Sequence, residues 1–101
     1  MLRWYKPVPI STMHVIDVPD TSGVYVLLRD VDDLSSVLKI GPTRSLRDMF
    51  KRELATADKG RGMHPTAMMF CETWADAEEA QRLIAAYKRK HGRAPVMNSQ
   101  F

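Results

Sequence analysis

The chain has 101 residues, of which 45% are hydrophobic and 27% charged, and this composition is typical of one small soluble domain. No apolar run approaches the roughly 20 residues that a membrane helix requires, so a membrane protein is not expected. The N-terminal residues include prolines and polar groups rather than one apolar stretch, so we expect no signal peptide. Because Cys71 is the single cysteine, an internal disulfide is excluded and a cytoplasmic protein is expected.

The net charge of +3 is only slightly basic, but the charged residues are unevenly distributed along the chain. Basic residues concentrate at positions 39–52, 59–61 and 88–93, whereas acidic residues gather at 17–20, 30–33 and 76–79. This segregation predicts a basic surface that suits a polyanion such as nucleic acid. The alternative, which the sequence leaves open, is a set of solvated helix faces without a ligand.

An extended arm is predicted for residues 1–18, because Pro7 and Pro9 are incompatible with a regular helix or a central strand. Large apolar side chains along this arm would be costly to leave in water, so we expect them to pack the arm onto the body of the domain. These side chains are Trp4, Tyr5, Val8 and Ile10. The body is expected to be a single domain that spans residues 19–101.

Two strands are predicted next. Residues 23–29 carry β-branched and aromatic side chains, and residues 37–40 form a second apolar run that ends at Gly41 and Pro42. Because the residues between the two runs are polar and turn-forming, we expect the strands to pair as an antiparallel hairpin.

A first helix is predicted after this hairpin, beginning after Thr43 or Ser45 and ending near Ala57. Its helical spacing of apolar residues predicts a buried stripe made of Leu46, Met49, Phe50 and Leu54. A loop rich in glycine and charge is predicted for residues 58–65.

The last elements are a third strand over residues 66–73 and a second helix over residues 76–91. The second helix starts with acidic residues, ends with basic ones and is closed by Gly92, as the helix dipole and C-cap geometry favour. Its predicted apolar face consists of Ala77, Ala80, Leu83, Ile84 and Tyr87. The order of the elements predicts an α+β fold with a small antiparallel sheet of three strands flanked by helices.

Two triplets, Gly23-Val24-Tyr25 and Lys39-Ile40-Gly41, lie on the adjacent predicted strands, and the basic helix follows the second triplet directly. After the second helix, Pro95 is followed by Asn98. In order and separation these features resemble the GIY-YIG nuclease domain over roughly residues 19–98. The resemblance implies a GIY-YIG-like fold, with structural roles for Gly23, Gly41 and Asn98.

Members of that family cleave a phosphodiester bond with one divalent cation, a tyrosine-assisted water molecule and an arginine beside the phosphate. A glutamate on the second helix holds the cation, because carboxylate oxygen is the hard ligand that Mg²⁺ or Mn²⁺ prefers. The resemblance implies that Tyr25 is the first triplet's tyrosine and that Lys39 replaces the tyrosine of the second triplet. It also implies that Glu79 is the metal ligand.

Other family positions are altered, so the resemblance implies a degenerate active site. Met49 stands where the family arginine is expected, and Glu53 stands where a histidine or tyrosine is often found. Arg52 lies one turn from Met49 on about the same helix face, and Arg47 lies on a neighbouring face. Either arginine is therefore a candidate to take over the contact with phosphate.

Several assignments remain open in the sequence. One alignment of the second helix puts Glu79 in the position of the family glutamate, whereas another puts Ala80 there and removes the ligand. Tyr25 is either a phosphate-binding tyrosine or an aromatic packed within the sheet. Lys39 is either a phosphate contact or a solvated lysine on the sheet surface.

Three hypotheses follow. The first is nucleic-acid binding with little or no cleavage, with DNA favoured over RNA, through Lys39, Arg44, Arg47, Lys51 and Arg52. The second is an active Mg²⁺- or Mn²⁺-dependent endonuclease that uses Tyr25, Lys39, Arg52 and Glu79. The third is an inactive protein-interaction module, which predicts an exposed apolar patch built by Trp4, Tyr5 and Met63.

Overall fold

The central strand of the sheet is β2 (Gly23–Leu28), and all six of its residues are buried in this computed structural model, which describes residues 3–57 and 65–98. Its β-branched and aromatic side chains alternate between two faces, and both faces are covered. The strand β3 (Val37–Thr43) pairs with one side of β2 and β4 (Ala67–Glu72) with the other, both antiparallel. The predicted antiparallel hairpin is therefore confirmed.

The sheet has four strands rather than the predicted three. The additional strand is β1 (Val8–Pro9), which pairs antiparallel with β4 and gives the order β1-β4-β2-β3. Trp4, nearer the N-terminus of the same arm, forms an isolated antiparallel bridge with Cys71 on β4. The sequence pattern missed β1 because the strand has only two residues, the second of them a proline, and proline is tolerated only at a sheet edge such as this one.

The strand β3 continues through Gly41 and Pro42, where the sequence predicted its end. β3 is an edge strand, and the backbone N–H and C=O of Ile40 both face outward, toward the side chain of Asn98. Pro42 lies two residues further and presents the same side of its backbone outward, so its missing N–H breaks no bond to β2. The proline therefore does not end the strand.

Two α-helices, α1 (Leu46–Ala57) and α2 (Asp76–His91), cover opposite faces of the sheet. Short 3₁₀ helices are present at Thr12–Asp17 and Val96–Asn98. Ser45 caps α1, because its Oγ accepts a hydrogen bond of 3.2 Å from the N–H of Asp48. Among the described helices, none has the length and apolar character needed to span a membrane.

The face under α1 buries three residues of the predicted stripe and leaves the fourth, Leu54, partly buried. Tyr25 and Leu27 of β2 belong to the same cluster. Val8, Ile10 and Val15 from the N-terminal segment pack against the same cluster. Its buried members are Val18, Tyr25, Leu27, Leu46, Met49, Phe50, Met68 and Phe70. The expected role of α1 as a helix docked by Leu46, Met49 and Phe50 is confirmed.

The opposite face carries Val24, Val26 and Leu28 of β2 and is covered by α2. Ala80 is buried there, and Leu83, Ile84 and Tyr87 pack around it, whereas Ala77 is exposed, contrary to prediction. Ala77 lies one turn before the first residue of α2 that meets the sheet. The helix ends as predicted at Gly92, which adopts the left-handed conformation with φ of 76°.

Candidate functional site

An open hollow of about 470 Å³ lies at the end of the sheet where β3 leads into α1. Its floor includes Tyr25, and its walls come from the end of β3, the first two turns of α1 and the first residue of α2. We call it the α1 hollow. The charged side chains that line it are Lys39, Arg44, Asp48, Arg52 and Asp76.

Tyr25 reaches this hollow because its ring crosses over Gly41, its partner on β3. A Cβ atom at position 41 would lie 2.7 Å from the Tyr25 hydroxyl oxygen and 2.9 Å from Cζ, closer than such atoms approach in proteins. Gly23 meets a similar restriction, because a Cβ there would lie 2.1 Å from the carbonyl oxygen of Cys71. The two triplet glycines thus permit close packing within the sheet.

Three of the five predicted cationic residues line the α1 hollow. Lys39 lies on β3, Arg44 follows that strand, and Arg52 lies on α1. Residues three to four positions apart lie on the same face of a helix. The face of α1 that borders the hollow therefore carries the capping residue Ser45 together with Asp48, Met49 and Arg52. Within residues 3–57 and 65–98, neither Arg44 nor Arg52 takes part in an ion pair.

The other two predicted cations lie elsewhere. The guanidinium of Arg47 donates through Nε to the carbonyl oxygen of Val18 at 2.9 Å, which fixes it against the segment before β2. Lys51 is exposed on α1 and does not line the hollow. Of the two arginines considered as replacements for the family arginine, Arg52 is therefore the one beside Tyr25.

Two carboxylates in the hollow, those of Asp48 and Asp76, were not among the predicted site residues. Asp76 is the first residue of α2 and lines the hollow. Because β3 and β4 both run antiparallel to β2, they finish at the same end of the sheet, and α2 therefore begins close to the end of β3. The predicted order of the elements already implied this antiparallel arrangement. The distance between the strand ends, however, depends on tertiary packing.

Glu79 does not join the residues of the α1 hollow. Both of its carboxylate oxygens accept hydrogen bonds from the guanidinium of Arg82 one turn later, one of them at 3.1 Å from Nε. This bidentate ion pair lowers the pKa of Glu79. Of the four predicted catalytic residues, the structure brings Tyr25, Lys39 and Arg52 together and leaves Glu79 outside.

These residues do not fit the family's single-metal arrangement. The carboxylate in the proposed ligand position is engaged by Arg82, and the alternative position holds Ala80, which has no ligand atom. Over residues 3–57 and 65–98, no group of three or more His, Cys, Asp or Glu side chains is arranged to hold a metal ion.

Two groups beside the hollow have a raised pKa. Burial is the main cause for Tyr25, and the nearby carboxylate of Glu53 raises its pKa further, while Arg52 lowers it. Burial also raises the pKa of Glu53, and Lys39 partly offsets this effect. At neutral pH Tyr25 therefore keeps its proton, so its hydroxyl is a hydrogen-bond donor rather than a base.

Asn98 ties the C-terminal tail to the outer edge of the sheet. Its Oδ1 accepts a hydrogen bond of 2.9 Å from the Ile40 N–H, and its Nδ2 donates one of 2.8 Å to the Ile40 carbonyl oxygen. The side-chain amide thus forms the two backbone hydrogen bonds that a further strand would otherwise form with Ile40, the residue after Lys39 on the edge strand β3.

Two of the three residues expected to form an apolar interaction patch make internal contacts, and Tyr5 nevertheless remains 41% exposed. Tyr5 stacks on Phe70 with ring centroids 4.6 Å apart, and its hydroxyl donates to Glu72 Oε1 at 2.7 Å. Trp4 is half-buried against the α2 face of the sheet. Met63, like the predicted basic residues Lys59 and Arg61, lies outside the described residues.

Comparisons of this chain with models of protein families, with curated proteins and with solved structures found no match.

Proposed function

We propose that this domain binds nucleic acid by holding a backbone phosphate in the α1 hollow, and that it does so without cleaving the strand. The observation that carries the proposal is the convergence of Lys39, Arg44 and Arg52 on one open hollow. These cations come from a strand, a connection and a helix, so no single solvated helix face accounts for their meeting. Phosphate contacts of this kind supply most of the affinity in sequence-independent binding.

The chemistry of the hollow supports a phosphate ligand. Arg44 and Arg52 form no ion pair within the described residues, so the contact of these two arginines with a phosphate would not first require an internal pair to be broken. The protonated Tyr25 hydroxyl supplies a further donor at the floor. Asp48 and Asp76 leave an excess of one cation among the residues that line the hollow, and the Glu53 carboxylate beside it reduces the positive charge further, so affinity is expected to be weak and dependent on salt.

Three observations support binding without cleavage. Tyr25 has a raised pKa, whereas a tyrosine that deprotonates water would need a lowered one. Met49, in the position of the family arginine, lines the hollow without a charge. Glu79 is engaged by Arg82. The GIY-YIG-like fold thus serves in this proposal as a scaffold for binding.

Fluorescence polarisation at low salt with labelled DNA tests the proposal. The variant Lys39→Gln/Arg52→Gln removes two cations from the hollow and is expected to lose about tenfold or more in affinity. The matched control is Lys88→Gln/Arg89→Gln, which removes two exposed cations from the far end of α2. Equal losses of affinity in the two variants would mean that binding depends only on the net charge of the domain, and they would contradict a specific site in the hollow.

A further inference from the structure

Trp74 lies in the short connection between β4 and α2, and its side chain is 90% exposed. This is the highest exposure among the large apolar side chains of the described residues. An indole offers a broad flat face on which a nucleobase stacks, independent of base identity. We infer that the nucleic acid bound by this domain is single-stranded, with one unpaired base stacked on Trp74, an inference that rests on the function proposed above.

The backbone on both sides of Trp74 is held in place. The Thr73 N–H donates to the Ser22 carbonyl oxygen at 3.1 Å, and the Ser22 hydroxyl donates to the Thr73 carbonyl oxygen at 3.0 Å. The Ala75 N–H donates to Thr73 Oγ1 at 3.1 Å. The indole is therefore displayed from an ordered connection, which reduces the entropy lost when a base stacks on it.

The tryptophan borders the phosphate site. A second hollow, of about 700 Å³, is lined by Trp74 together with Ser22, and it shares Arg44 and Asp76 with the α1 hollow. Arg44 thus stands between the exposed indole and the cations Lys39 and Arg52. If a phosphate of a nucleic-acid strand contacts Arg44, the base next to that phosphate would lie against the indole of Trp74.

The geometry of base stacking indicates whether the bound nucleic acid is single-stranded or double-stranded. In a duplex each base is already stacked and paired, so its faces are inaccessible to a side chain on the protein surface. A single strand presents free base faces at no cost in pairing. The exposed indole therefore favours the binding of single-stranded over double-stranded nucleic acid at the α1 hollow.

The test uses the full chain carrying Trp4→Phe, which leaves Trp74 as its single tryptophan. Three probes are compared at low salt: a thymidine homopolymer, an abasic oligonucleotide of the same length and a duplex of the same length. We expect the homopolymer to quench Trp74 emission and to bind about tenfold more tightly than the abasic strand, the effect of one base–aromatic stack. The abasic strand should leave the emission unchanged.

Substitution of the indole separates stacking from charge. Trp74→Ala should reduce homopolymer affinity to the abasic level and leave abasic binding unchanged, whereas Trp74→Tyr should retain most of the preference. Leu34→Ala, which truncates another exposed apolar side chain in the connection at the opposite end of the hairpin, is the matched control and should change neither affinity.

The outcomes distinguish this inference from the proposal on which it rests. Equal binding of homopolymer and abasic strand, preference for the duplex, or insensitivity to Trp74→Ala would overturn the base-stacking role and leave phosphate binding in place. Absence of binding to all three probes would overturn both.

Discussion

The ring of Tyr25 on β2 lies directly over Gly41 on β3, in the space that a side chain at position 41 would need. The first triplet's tyrosine and the second triplet's glycine are therefore one packing unit. Glycine in a strand interior leaves a gap that a cross-strand aromatic can cover. This pairing directs the Tyr25 hydroxyl toward the hollow bordered by Lys39 and Arg52.

Gly41→Ala should destabilise the domain by about 1–3 kcal/mol, because the added methyl group forces the tyrosine ring out of its position. Chemical denaturation of the single variants and of Tyr25→Ala/Gly41→Ala measures this effect as a double-mutant cycle. The cost of Gly41→Ala should be smaller once the ring is absent. If the cost is the same in both backgrounds, the two residues are not coupled as described.

Asn98→Ala should lower the free energy of unfolding by about 1–3 kcal/mol, the effect of losing two hydrogen bonds to the backbone of Ile40. Amide hydrogen exchange should accelerate at Ile40, whose N–H loses its acceptor. Asn98→Asp is the size-matched comparison, because it keeps the acceptor but replaces the donor facing the Ile40 carbonyl oxygen. Unchanged exchange at Ile40 in Asn98→Ala would argue against the tether.

The sequence was sufficient to predict the elements whose stability comes from their own apolar pattern. Leu46, Met49 and Phe50 recur at helical spacing, and they are buried under α1 as expected. The predicted bounds of α2, Asp76 and His91, match the structure, because its acidic start and Gly92 mark both ends. These signals are local, so they were accessible without knowledge of the fold.

Features that depend on distant parts of the chain were not predicted. The strand β1 has only two residues, and pairing with β4 rather than local propensity makes it a strand. Asp76 belongs to the hollow only because the sheet delivers α2 there. The exposure of Trp74 likewise depends on the packing around it, since tryptophan is usually found largely buried.

Glu53→Gln should stabilise the domain more at neutral pH than at acidic pH. Because burial raises the pKa of folded Glu53, its contribution is fully present below the ordinary glutamate value of about 4.3 and is lost as pH rises through the raised pKa. Glutamine removes this loss, although it also removes the attraction to Lys39. Thermal unfolding of both proteins at pH 4 and pH 7 checks the sign, and an advantage larger at pH 4 would contradict it.

Glu79→Ala should leave nucleic-acid affinity unchanged, in the presence of Mg²⁺ and after its removal with a chelator. The expectation follows because Glu79 pairs with Arg82 and does not line the α1 hollow. Only a small loss of stability is expected, since Arg82 is largely exposed. Mg²⁺-dependent strand cleavage that disappears in Glu79→Ala would instead support the endonuclease hypothesis.

The most direct test of phosphate binding in the α1 hollow is the salt dependence of affinity for a single strand. A plot of log affinity against log salt concentration should be shallower by about 1.4 for Lys39→Gln/Arg52→Gln than for the unmodified protein, since each lost phosphate contact changes the slope by about 0.7. The control Lys88→Gln/Arg89→Gln should keep the original slope. Identical slopes for the unmodified protein and the hollow variant would contradict the proposal.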